Sequence, residues 1–144
     1  MILHARDVVA LQFFLMDSAK RYAMPDGRRS HDADELLAGA AALDYPVMVA
    51  RGGSGESCEP EAATAASLRE IVTRAVSAAL DFIETMLRAP DDAFVDFCDR
   101  HGGPAGIFEV IGALRRDGAI GSDDVGFRAV TLRNDLLERR GEGA

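Results

Sequence analysis

The chain has 144 residues, a formal net charge of −8 and a hydrophobic share of 48%. That size and composition fit one globular domain with its own core, and exclude wholesale disorder, a collagen-like repeat and a disulfide scaffold, because only two cysteines, Cys58 and Cys98, are present. The acidic balance disfavours duplex DNA and anionic membranes as partners and suits a basic protein or a small ligand. All of the basic residues except Lys20 are arginine. With the abundance of alanine, this points to a GC-rich, bacterial-type genome and warns against reading every arginine as an anion ligand.

Val8 to Met16 is the longest nearly apolar run, interrupted by Gln12. A membrane span needs about 20 apolar residues. Arg6 and Asp7 ahead of the run, with no small-residue cleavage pattern after it, argue against a secretory signal. The run reads as a first helix over about Asp7–Ala23, with Asp7 as its cap. Val8, Leu11, Leu15, Ala19 and Tyr22 make one stripe, and Val9, Phe13 and Met16 widen it. A helix apolar around most of its girth belongs in a core or in an oligomer interface. Met24-Pro25-Asp26-Gly27 reads as a turn.

Asp32-x-x-Glu35 is a capping box that opens a second helix, running to Leu43. Asp44-Tyr45-Pro46 is expected to end it, since the residue before proline avoids the helical region. Val47-Met48-Val49 is the one candidate strand; without a partner it reads as extended chain or a last helical turn. Arg51 to Ser57 is a glycine-rich loop, expected to be flexible.

The third helix starts near Pro60, a residue suited to a first helical position. Leu68, Ile71, Val72, Ala75, Ala79, Ile83, Met86 and Leu87 form its stripe until Pro90. A fourth spans about Asp91–His101 and stops at Gly102-Gly103. A fifth starts at Pro104 and breaks at Asp117-Gly118. The last is capped by Ser122, carries the stripe Val125, Ala129, Leu132 and Leu136, and ends at Gly141. The expected fold is therefore all-α, a five- to six-helix bundle or orthogonal array in a single domain with a flexible glycine-rich loop at about 51–57.

Few residues suggest chemistry. The 51–58 loop has neither the lysine of a phosphate-binding loop nor the pattern of a nucleophile elbow; no lysine or arginine follows its glycines, and Glu56, Glu59 and Glu61 would repel a phosphate. Cys98 and His101 share a helix face, but no further ligand or orienting group stands near them in sequence. His31-Asp32-x-Asp34 is explained by the capping box, and no E-x-x-H pair supports a di-iron bundle. No catalytic, cofactor or metal residues are assigned. The last two helices resemble a helix-turn-helix only loosely, because the break at Asp117–Ser122 is long and acidic residues offset Arg128, Arg133, Arg139 and Arg140.

Charge is uneven along the chain: residues 30–63 carry −6 and residues 81–99 carry −5, flanking the third helix. Such segments keep a protein soluble and can also dock a basic partner. The function expected is a non-enzymatic, cytoplasmic protein-interaction module of the adaptor, inhibitor, immunity or regulatory-subunit type, self-associating as a homodimer through helix one. Two alternatives stand beside it: a helical DNA-binding transcription regulator, and a small enzyme with its site near Ser54 and Cys58.

Overall fold

Apolar residues recur at every third or fourth position from Leu68 to Met86, and this period folds as α4, a 26-residue helix over Ala62–Leu87. The computed structural model describes residues 1–21, 31–100 and 106–141, excepting the side chains at 31 and 32. Around α4 lie α1 (Ala5–Arg21), α2 (His31–Ala42), α3 (Asp44–Arg51), α5 (Asp91–Arg100) and α7 (Asp123–Gly141). Helix α6 (Gly106–Arg116) packs on α1 and α7. Leu68, Val72, Ala75, Val76, Ala79, Leu80 and Ile83 of α4 are fully buried. The buried apolar residues from Leu3 to Leu136 form one contiguous cluster. The fold is all-α, and all six expected helices are present. The turn at 24–27, His101, Gly102, Gly103 and Pro104 lie outside the described residues.

Four local readings need correction. Helix α1 begins at Ala5, so Asp7 sits inside its first turn instead of capping it. The helix starts early because Leu3–His4 is a short strand, β1, that pairs antiparallel with β2, Ser57–Cys58. This ribbon was not expected; each strand is only two residues long, and its inward residue, Leu3, is fully buried. Val47-Met48-Val49 belongs to α3, with Val47 and Ala50 buried on one face. Pro46 starts this helix as much as it ends the previous one, since the first turn needs no N–H from it. Finally, α4 begins after Pro60, with Glu61 in an extended conformation at its N-cap.

Polar side chains hold the helix ends together. Gln12, the residue that breaks the apolar run, donates to the Ala40 carbonyl at 2.8 Å and to Asp44 Oδ1 at 2.6 Å, securing the α2–α3 corner. At the end of α6 the Gly118 N–H reaches the Arg115 carbonyl and the Ala119 N–H the Leu114 carbonyl. That double bond pattern requires Gly118 in the left-handed region, at φ +78°. The C-terminus of α4 is closed from a distance: Arg139 of α7 donates to the carbonyls of Leu87 (2.5 Å) and Ala89 (2.8 Å) and lies 4.0 Å above the Phe94 ring.

Candidate interaction surface

Adjacent residues of α1 have opposite fates. Phe14 is 4% exposed and makes edge-to-face contacts with Phe82 at 6.0 Å and Phe97 at 6.3 Å, joining α1 to α4 and α5. Phe13, about 100° further round the helix, is 71% exposed, and Met16 one turn on is 52% exposed. Val9, one turn before Phe13, is half-buried and packs against the core. Beside it α1, α5 and α6 bound an open groove of about 470 Å³, with an apolar lining of Ala10, Phe13, Phe14, Ile107 and Val110. Its charged residues are Asp17, Arg21 and Arg100, the first two paired at 2.8 Å. Phe13 and Met16 therefore lie outside the core, on a surface that the described residues leave uncovered, while Val9 packs half-buried against the core.

A second groove, of about 660 Å³, runs between α4 and α7 past Phe127 and Leu132. Arg128 crosses it to Asp81 at 2.6 Å and Glu84 at 2.8 Å. The hydrogen bond from Arg128 holds the Glu84 carboxyl below the ordinary carboxylate range, assisted by the charges of Arg128 and Arg88. The two α7 arginines on this side, Arg128 and Arg139, are thus engaged within the fold.

The expected chemical candidates lie only in part within the described residues. Cys58 is half-buried and Cys98 buried, both as free thiols, and burial raises the pKa of each. Ser54 begins a tight 3₁₀ turn, Ser54–Glu56, that leads into β2. Glycine is required at position 53, where a Cβ would overlap the Ser57 carbonyl oxygen. His101 and the side chain of His31 lie outside the described residues. No group of three or more His, Cys, Asp or Glu side chains among the described residues is placed to hold a metal.

The fold does bring together one set that sequence spacing could not reveal. His4 Nε2 lies 3.6 Å from Asp117 Oδ2, and His4 pairs across the ribbon with Ser57. The residue types are those of a hydrolase triad, but the Ser57 hydroxyl donates to the Ser54 carbonyl at 3.3 Å and not to the histidine. The set acts as a clasp: Ile2 N–H donates to the Asp117 carbonyl at 2.9 Å in the same region. The turn between α6 and α7 is also fastened to α4. Arg69 donates to the Gly118 carbonyl, and the Thr73 hydroxyl accepts from the Gly121 N–H.

No helix among the described residues is long and apolar enough to cross a membrane. Comparison of the chain with protein-family models, curated proteins and solved structures returned no match.

Proposed function

We propose that this protein is a non-enzymatic, cytoplasmic helical interaction module of the adaptor, inhibitor, immunity or regulatory-subunit type, and that a second copy of the chain covers helix α1. One observation carries the reading: Phe13 and Met16 stand exposed beside an apolar groove, although the helix already has a complete core face. Apolar surface gathered in this way marks a site of association, and symmetric pairs are the commonest assemblies. The engagement of Arg128 and Arg139 inside the fold supports a protein partner over a nucleic acid. The acidic segments suit a basic further partner by charge complementarity.

Light scattering and sedimentation at low micromolar concentration test the proposal. The wild type should run as a dimer and Phe13→Glu as a folded 15.4 kDa species. Phe14→Glu is the control. It places a carboxylate in the aromatic centre and should unfold the chain, because an unpaired buried charge costs several kcal/mol. A wild-type monomer, or a Phe13→Glu protein of unchanged mass, would refute the α1 interface.

A further inference from the structure

Helix α7 turns the stripe Val125, Ala129, Leu132 and Leu136 toward the core, and on its outer side carries a second apolar series. Phe127 is 74% exposed, Val130 50% and Leu137 37%. With exposed Asn134 these positions follow a heptad: Phe127 and Asn134 at a, Val130 and Leu137 at d. Asp123 and Gly141 occupy the next seam positions at either end and confine the seam to the four positions between, three of them apolar. The flanks differ in charge. Arg133 and Arg140 fall at g, whereas Asp124, Thr131 and Glu138 fall at e.

We propose that this outer face of α7 is a second self-association site, a short parallel two-stranded coiled coil with α7 of another copy. The charge pattern selects both the occupant and the direction. In a parallel pair g faces the e position of the following heptad, which sets Arg133 against Glu138 of the second copy, twice by symmetry. An antiparallel pair would face g with g and e with e, placing arginine near arginine and carboxylate near carboxylate. A lone asparagine at a is the known device for fixing register and a two-stranded state, and Asn134 stands there. An isolated helix of this length is marginal in water. Here α7 is already ordered on α4 by Arg128 and Arg139, so association carries no folding cost. The apolar strip from Phe127 to Leu137 is about 15 Å long and smaller than a stable interface of about 800 Å² per partner, so the contact is weaker than that at α1.

Sedimentation equilibrium on the Phe13→Glu protein, in which the α1 face is disabled, tests this from low micromolar to submillimolar concentration. A monomer–dimer equilibrium is expected. Arg133→Glu should weaken it by about tenfold or more, because two symmetric exposed pairs change from attraction to repulsion. Arg133→Glu with Glu138→Arg should restore it. Circular dichroism and melting temperature matching the parent would show each variant folded. A parent monomeric at every concentration overturns the proposal, as does a dimer indifferent to Arg133→Glu or one not restored by the double exchange. The α1 reading is judged separately, by wild type against Phe13→Glu at low concentration.

Discussion

Arg139 is the side chain whose removal should be felt furthest from its own helix. Its guanidinium spans the last carbonyl of α4, at Leu87, and that of Ala89 just beyond the helix, approaches Asp91 at 3.1 Å and covers the Phe94 ring. Helix C-termini leave their final carbonyls without intrahelical donors, so Arg139→Ala exposes these groups to whatever water can reach them. A hydrogen bond from a charged donor contributes about 1.5–3 kcal/mol and a cation–π contact about 0.5–1 at a partly exposed site. The Asp91 arm adds little, since that carboxylate is 97% exposed. With water replacing part of the loss, the net destabilisation should be about 3 kcal/mol. For a chain of 144 residues that corresponds to a fall of about 10 °C in melting temperature. Urea unfolding and calorimetry measure it directly. Arg139→Lys keeps the charge but loses the planar fork, and should recover less than half. A loss below about 0.5 kcal/mol for alanine, or full recovery by lysine, would refute the idea that one fork closes α4 and seats α7.

Three further outcomes follow from the same geometry. The lowered Glu84 pKa contributes stability at neutral pH, above its unfolded value, that erodes as pH falls through the ordinary carboxylate range toward the folded pKa. The gap between wild type and Glu84→Gln in pH-dependent melting should therefore close on acidification, and a gap constant with pH would contradict the Arg128 pairing. Gly53→Ala drives a Cβ into the Ser57 carbonyl oxygen and should cost more than Gly55→Ala, where φ is +66° with open space around it; about 1 kcal/mol is expected for the latter. Limited proteolysis, expected to cut the wild type first within 51–57, should accelerate in Gly53→Ala. Thiol labelling of the native protein should modify Cys58 before Cys98, both more slowly than a free thiol because burial raises both pKa values; equal rates would contradict the burial difference.

The sequence was most readable where a period persisted. Five turns of stripe announced α4, and Ser122 was found as the cap of α7, its hydroxyl accepting from the Val125 N–H at 3.4 Å. Val47-Met48-Val49 misled because three apolar residues have no measurable period, and their helix draws its amphipathy from Pro46 and Ala50 on either side. The β1–β2 ribbon was invisible because pairs of residues acquire strand geometry only once the fold places them side by side. At α1 the surplus of apolar residues was legible, but which of Phe13 and Phe14 faces outward depends on where α2 and α6 dock. The Arg139 cap lies beyond local reading, since its partners stand some 50 positions earlier in the chain. The outer series of α7 was obscured by the stronger stripe on its core side.

The pairing of Leu3 with Cys58, and of Ile2 with Asp117, also has a meaning in time. Both contacts join stretches far apart in the chain, and neither target exists until α3, α4 and α6 are in place. Closing such distant ends brings no reward until the rest is ordered, so the first four residues should act as a latch that engages last. Contacts absent from the folding transition state leave the folding rate almost untouched and slow unfolding. Removing residues 1–4 should therefore shorten the lifetime of the native protein much more than it delays its formation.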